Sequence, residues 1–288
     1  WLKPFWLASP PGTSCSQHCI VQHGTTAVMQ RVEVLTGHVL ASAVAPVQAV
    51  PCSADVVKQM APTGKLRVAL NMRNALLVKG KDANGVPEGL APSMGAAFAE
   101  KLGVPVEFVE YPAADKLADD ASKDVWDVAM IGADPARAEF VEFTAPYCQI
   151  EATYAVPTTS GAQKCADVDK DGVRIASCDG AAYTLWLERN LKNAKLEKVD
   201  GHDKTTEFFA EEGCDAIAGL RSKLKSSRPK ATRLLKDKFM AVEQAAGTKK
   251  GRIEGFKLLS EFIEEAKKSG LVKQLMQKFK VDKDLSIP

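Results

Sequence analysis

The residue with the clearest chemical potential in this chain is Arg137, which follows an apolar run, a glycine and an Asp-Pro pair. Residues 128–131 read Val-Ala-Met-Ile, a run that predicts a buried strand, and Gly132 ends it. Asp134 and Pro135 favour a helix start, as N-cap and first helical residue. Ligands of open α/β sheets bind where strands end. A guanidinium beside the free N–H groups of such a turn suits a carboxylate or another planar anion.

A second interpretation of Arg137 is structural. Its side chain could neutralise a nearby surface carboxylate, such as Glu139 or Glu142. Ion pairs of this kind are common on protein surfaces and contribute little energy. The local sequence alone therefore does not separate a ligand anchor from an ordinary surface pair.

A second strand–glycine–helix pattern occurs later in the chain. Residues 173–178 predict a strand, Gly180 and Ala181 the turn, and Tyr183 lies just inside the following helix. The N–H groups of this turn could hold the other side of an anionic ligand. An ordinary strand-to-helix connection gives the same pattern, so both interpretations remain.

The elements that must position these turns alternate between strands and helices. Residues 66–70 predict a first strand, and Asn71 and Asn74 follow its carboxyl end, where polar side chains can face a cleft. Apolar residues recur at helical spacing over residues 92–102, and residues 106–111 alternate as a strand. Repeated strand–helix units of this kind predict an α/β fold.

Three motif fragments stand in a fixed order, namely Asp127-x-x-x-x-Gly132, Pro135-x-Arg137 and Phe143-Thr144-x-Pro146-Tyr147. The series resembles the type II periplasmic solute-binding proteins, nearest the branch that serves ABC importers of amino acids and related polar solutes. The resemblance implies two lobes, each a central mixed sheet flanked by helices, with two crossover strands as a hinge. It also implies that the motif arginine, here Arg137, holds the ligand carboxylate.

The two crossings expected from the resemblance are residues 151–157 and a return run, residues 239–246, which carries Gln244. The folded body is expected to start near Gly64. The predicted division is residues 1–62 as leader or extension, 63–155 as lobe 1 completed by 243–288, and 156–242 as lobe 2.

The residues expected to contact the ligand are Asn71, Asn74, Gly132, Ala133, Asp134, Arg137, Gly180, Ala181, Tyr183 and Gln244. Two family features are altered. The ligand-contacting Thr of the family has no clear counterpart, and Leu220 stands where amino-acid binders commonly carry an Asp that pairs with the ligand α-ammonium. An unpaired ammonium in a closed cleft is costly. The departure argues against an ordinary α-amino acid, unless Asp134 or Glu243 supplies the charge.

The composition argues against several other classes of function. A net charge of +2 over 288 residues favours neither nucleic acid nor a strongly charged membrane surface. The seven cysteines form no Cys-x-x-Cys pair and only four histidines occur, so neither a metal nor a cofactor is expected. A disulfide between Cys165 and Cys178 stays open.

The first 62 residues do not resemble the rest of the chain. From Met29 the pattern is a positive residue, an apolar stretch over residues 34–47 and a small-x-small exit, which is typical of a secretory signal. The alternative is a disordered or loosely packed extension. An export signal would place the protein in the periplasm or outside the cell.

The predicted function is a monomeric, non-enzymatic receptor for a small anionic or zwitterionic solute, which it delivers to the membrane permease of an ABC importer. One alternative is an enzyme, because a few proteins resembling this family are dehydratases of cyclic carboxylic acids. That chemistry needs a general acid or base in the cleft, for which Asp134, Glu151 and Glu243 are the candidates. A sensory or assembly domain that has lost transport is the third hypothesis.

Overall fold

The computed structural model describes residues 52–288, so the leader-like pattern lies outside the described residues. The strands are β1 (Leu66–Asn71), β2 (Gly80–Lys81), β3 (Pro87–Glu88), β4 (Val106–Tyr111), β5 (Val128–Gly132), β6 (Val141–Phe143), β7 (Cys148–Pro157), β8 (Arg174–Cys178), β9 (Lys195–Val199), β10 (Ala216–Leu220), β11 (Thr232–Leu234), β12 (Met240–Lys249) and β13 (Leu285–Ser286). The helices are α1 (Ala54–Met60), α2 (Leu90–Leu102), α3 (Ala114–Asp119), α4 (Ala182–Asn190), α5 (His202–Glu211), α6 (Arg221–Ser227), α7 (Ile253–Lys268) and α8 (Leu271–Lys278).

One sheet runs through the body in the order β4-β1-β5-β12-β7-β10-β8-β9. β1 pairs in parallel with β4 and β5, and β8 pairs in parallel with β9 and β10. The long strands β7 and β12 lie between these groups and pair antiparallel with each other. They are the two predicted crossings. Lobe 1 is hereafter the half with β1, β4, β5 and the C-terminal helices, and lobe 2 is the half with β8, β9 and β10.

Each lobe has a hydrophobic core of its own. In lobe 1, Leu70, Met94 and Ile263 are fully buried where helices cover β1 and β5. In lobe 2, Ile175 and Leu187 are fully buried between β8 and α4. All of β5 is buried, which explains why its sequence is continuously apolar instead of alternating. Two cores joined by two strands are the arrangement that a hinge requires.

A buried ion network fixes the start of β5. The Asp127 side chain is 0% exposed and accepts hydrogen bonds from Arg67 Nε at 2.9 Å and Arg252 Nη2 at 3.0 Å. Its backbone carbonyl accepts from Thr248 Oγ1 at 2.9 Å. The aspartate that opens the motif therefore ties β1, β5 and β12 to the start of α7, at the end of β5 opposite Gly132.

The folded body begins earlier than the sequence predicted. α1 lies before Gly64, with Ser53 as its N-cap, because the Ser53 hydroxyl accepts from the Val56 N–H at 3.3 Å. Met60 is fully buried, and a Cβ on Gly255 of α7 would lie within 2.7 Å of its side chain. Met60 is the only buried residue of α1, so the helix leaves a weak apolar pattern and the sequence prediction missed it.

The helix predicted after Asp134 is much shorter than expected. Asp134 Oδ1 accepts from the Ala136 N–H at 2.9 Å in a local turn, but the N-cap of the helical turn that follows is Ala136 and it has no side-chain cap, so the predicted capping role of Asp134 is wrong. Only a 3-10 turn, Arg137–Glu139, follows, because β6 begins two residues later.

The structure also decides the disulfide left open by the sequence. Cys165 and Cys178 are both free thiols, so the disulfide alternative is wrong. Among the described residues, no helix has the length and apolar character needed to cross a bilayer.

Candidate functional site

A cleft of about 330 Å³ lies between the two lobes, at the carboxyl ends of β1, β5 and β8. This volume is in the range of small-molecule sites. Eight of the ten predicted ligand contacts line it, namely Asn71, Asn74, Gly132, Arg137, Gly180, Ala181, Tyr183 and Gln244. Ala133 and Asp134 do not. The prediction that both turns face one shared cleft therefore agrees with the geometry.

Arg137 is a buried cation in the wall of this cleft. Its side chain bridges the lobes, because Nη1 donates to the Gly132 carbonyl oxygen at 2.6 Å and Nη2 to the Gly180 carbonyl oxygen at 2.9 Å. Arg137 is 5% exposed. Burial lowers its pKa, and the negative charges of Asp134 and Asp115 oppose that shift.

No carboxylate within residues 52–288 forms an ion pair with Arg137, and its Nε–H has no acceptor there. Glu139 and Glu142 do not pair with it, so the surface-pair interpretation is wrong. A buried cation without an anion is unfavourable. The guanidinium therefore has both the charge and the free donors to bind an anion that enters the cleft.

Two of the backbone N–H groups in these turns do not have the predicted role. The Ala133 N–H donates to the Glu243 carbonyl at 2.8 Å, and the Ala181 N–H donates to the Cys178 carbonyl at 3.3 Å. The amides of Ala133 and Ala181 are therefore not free to bind an anion, and for these two groups the expectation is wrong. Pairing between β5 and β12 continues one residue past Gly132, and this register could not be predicted from the turn sequence.

Side-chain amides supply donors instead. Asn71 and Asn74 use their carbonyl oxygens to accept from the Arg73 and Leu76 N–H groups. Their NH₂ groups make no hydrogen bond within the described residues, and neither does that of Gln244, which is 3% exposed. Together with Arg137, these groups make the lining of the cleft rich in donors, which favours a ligand with acceptor oxygens.

The carboxylates considered from sequence all lie outside the cleft. Asp134 is 6% exposed and forms an ion pair with Arg189 of α4. Glu151 pairs with Arg221, and Glu243 is exposed beside Gln149. None of the three is placed to act as an acid or base on a cleft ligand, or to pair with its ammonium.

Several cleft residues were missed by sequence reasoning. Arg73 is held by Asp200 at 3.3 Å, and Asp115 lies at the start of α3. Burial lowers the pKa of His202 to about 4, so its ring is neutral at pH 7; its Nδ1 lies 3.4 Å from the Tyr183 hydroxyl. The polar stretch at residues 71–74 gave a signal for Arg73, whereas Asp115 and His202 lie in no motif.

The model of the bacterial extracellular solute-binding proteins, family 3, matches residues 66–282. The chain belongs to this family. The fold is the type II fold that the motifs implied, with β7 and β12 as its crossings. No match was found among curated proteins.

Solved structures support the same fold. An ancestral amino acid-binding protein, a precursor of cyclohexadienyl dehydratase, is 21% identical with a TM-score of 0.63, over 77% of this chain and 98% of that one. An amino acid ABC transporter substrate-binding protein from Streptococcus pneumoniae bound to L-arginine is 20% identical with a TM-score of 0.63, over 78% and 98%. An ancestral arginine-binding protein bound to arginine is 21% identical with a TM-score of 0.62, over 75% and 98%. Because the identities are this low, the likeness to these three structures establishes the fold of the chain and no other property.

Proposed function

We propose that this protein is an extracytoplasmic receptor that captures a small carboxylate-bearing solute between its lobes for an ABC importer. The observation that carries the proposal is Arg137, a buried cation in the cleft wall whose partners within residues 52–288 are carbonyl oxygens alone. Family membership supports a small solute and a permease partner in general terms.

The solute carboxylate would accept hydrogen bonds from the free N–H groups of Arg137. Charge-assisted bonds of this kind contribute about 1.5–3 kcal/mol each. Gln244 and Asn71 line the same cleft, and their side-chain NH₂ groups would bind the same oxygens or a neighbouring polar group. The burial of Gln244, which is 3% exposed, strengthens its part of this interaction.

Closure of the lobes would complete the site. Arg137 belongs to lobe 1 and Gly180 to lobe 2, so the bond between them exists only when the lobes are together. β7 and β12 are the segments about which the lobes would rotate. The solute would then be enclosed by both lobes, as delivery to a membrane permease requires. We expect one chain to form one complete cleft, and the working unit to be a monomer.

The test is calorimetric titration of the protein with L-amino acids and small organic acids. Arg137→Ala removes at least two charge-assisted bonds, so affinity should fall about 100-fold or more. Arg137→Lys, which keeps the charge but loses the planar fork, should be intermediate.

Arg233→Ala is a matched control. Arg233 also donates to two backbone carbonyls, of Ser160 and Ala162, but within lobe 2 and outside the cleft. Its loss should leave affinity unchanged. Equal affinity of the wild type and Arg137→Ala would overturn the proposed anchor.

A further inference from the structure

Asp115 is an acidic side chain in the cleft that neither the motifs nor the family resemblance singled out. It comes from α3 of lobe 1 and lies against Gly180 of lobe 2. A Cβ placed on Gly180 would meet Asp115 Cγ at 2.7 Å and Oδ1 at 3.0 Å. Gly180 has a φ of 69°, in the left-handed region. Only glycine suits both this backbone and this close approach.

Asp115 and Arg137 reach the same residue from two sides. Arg137 Nη2 is 2.9 Å from the Gly180 carbonyl oxygen, and that oxygen lies about 3 Å from the Cβ position of its own residue. The Asp115 carboxylate and the Arg137 guanidinium are therefore within roughly 9 Å of each other. They form no ion pair with one another, although the charge of Asp115 raises the pKa of Arg137 against the effect of burial.

A cation and an anion held apart at this spacing, both facing one cleft, are complementary to a zwitterion. The carboxylate and the ammonium of an α-amino acid sit on a single carbon, so they can bridge groups separated by a few ångströms. The sequence argued against such a ligand because Leu220 occupies the position where an acid is usual. Asp115 supplies a negative charge from the opposite lobe.

The other cleft acids are less suitable. Asp179 is about half exposed, and its Oδ1 already accepts from the Gly180 N–H at 3.0 Å. The acids whose charges act on Arg137 are Asp134 and Asp115, and of these only Asp115 lines the cleft. Within residues 52–288, Asp115 forms an ion pair with Lys116 at 3.4 Å, whose side chain is 62% exposed. An exposed pair of this kind contributes little, so an ammonium inside the cleft can compete for the carboxylate.

We propose that Asp115 binds the α-ammonium of the solute whose carboxylate Arg137 holds, which makes Asp115 a specificity-determining residue of the cleft. The inference rests on the function proposed above. In this arrangement Asp115 of lobe 1, which reaches across to Gly180, takes the role of the lobe 2 acid that is absent at Leu220.

The experiment titrates the wild-type chain with the L-amino acids and, for each one that binds, with the matched carboxylic acid in which hydrogen replaces the α-amino group. The amino acid should bind at least tenfold more tightly than its deaminated counterpart. Asp115→Asn should weaken the amino acid about 10- to 100-fold and leave the deaminated acid unchanged or slightly tighter. Asp115→Glu, which keeps the charge, should retain part of the preference.

Asp119→Asn is the matched control, because Asp119 lies one turn later on α3, is 68% exposed and also neighbours Lys116. It should not change the preference. Thermal melting without ligand establishes that each variant folds.

The outcomes separate the two proposals. Equal affinity for an amino acid and its deaminated counterpart, both lost in Arg137→Ala, would overturn the role of Asp115 and leave the carboxylate receptor standing. A preference for the amino acid that persists in Asp115→Asn would also overturn the role of Asp115 and leave the carboxylate receptor standing. An affinity that is unchanged in Arg137→Ala would overturn the proposed function itself.

Discussion

The ion pair between Asp134 and Arg189 joins the two lobes, and removing it should favour the open form. Asp134 follows β5 of lobe 1, and Arg189 lies on α4 of lobe 2. The pair is bidentate, with Nη2–Oδ2 at 2.5 Å and Nη1–Oδ1 at 3.2 Å. The Asp134 side chain is 3% exposed and that of Arg189 is 39% exposed. In Arg189→Gln, closure of the lobes would still bury the Asp134 carboxylate, but the cation that neutralises it would be missing.

The magnitude follows from these exposures. Breaking a fully buried pair costs about 3–5 kcal/mol, and an exposed pair is worth less than about 1 kcal/mol. With one partner buried and the other more than a third exposed, the closed form should lose about 1–3 kcal/mol. The ratio of closed to open molecules then falls roughly 5- to 150-fold. Affinity for the solute falls by up to the same factor, because only the closed form holds it from both sides.

The assay combines small-angle X-ray scattering of the ligand-free protein with calorimetric titration. Arg189→Gln should raise the radius of gyration and weaken binding. Arg174→Gln is the control, because Arg174 pairs with Glu197 inside lobe 2. That change can lower the melting temperature of lobe 2 but should leave closure alone. Unchanged scattering and unchanged affinity in Arg189→Gln would refute the idea that this pair holds the lobes together.

Two further predictions concern the scaffold and its pH dependence. Asp127→Ala should lower the free energy of unfolding by about 3–5 kcal/mol, measured by urea denaturation, since it removes the carboxylate partner of the nearly buried Arg252 and leaves the nearly buried Arg67 with only the exposed Asp124. Burial lowers the pKa of His202 from its usual 6.5 to about 4. Between these two pH values the His202 ring is therefore protonated in the unfolded chain but neutral in the folded chain. Stability should therefore fall as pH drops from 6.5 to 4, by at most about 3 kcal/mol, and His202→Gln should remove that part of the decline.

A control variant and a contradicting outcome can be stated for each of these two predictions. Asp124 also pairs with Arg67, but its side chain is 70% exposed, so Asp124→Ala should cost less than about 1 kcal/mol. Equal losses for Asp127→Ala and Asp124→Ala would argue against the buried network. A decline between pH 6.5 and 4 that is the same with and without His202 would show that its ring titrates normally.

The sequence predicted the site where local chemistry and chain geometry coincide. Gly132 and Gly180 each end an apolar strand and start a turn, and Arg137 stands at fixed spacing from the first. Such signals span a few residues, so they can be recognised without knowing the tertiary structure. They were sufficient for the family and the two crossings, although α1 and the short turn after Asp134 were not predicted.

The missed features depend on contacts between distant parts of the chain. Asp115 meets Gly180 across 65 positions of sequence, in a helix with no motif. The Ala133 amide is occupied by Glu243 of the return strand, which no turn pattern encodes. Asp134 faces Arg189 of the other lobe instead of the ligand. Asp134 and the Ala133 amide were identified from sequence without their partners, whereas Asp115 was not identified at all.

The most direct test of the central claim is a crystal structure of the protein with its bound solute, identified by mass spectrometry of the purified sample. We expect a solute carboxylate within about 3 Å of the Arg137 guanidinium, in the cleft between Gly132 and Gly180. A solute bound elsewhere, or one in this cleft whose carboxylate does not reach Arg137, would contradict it.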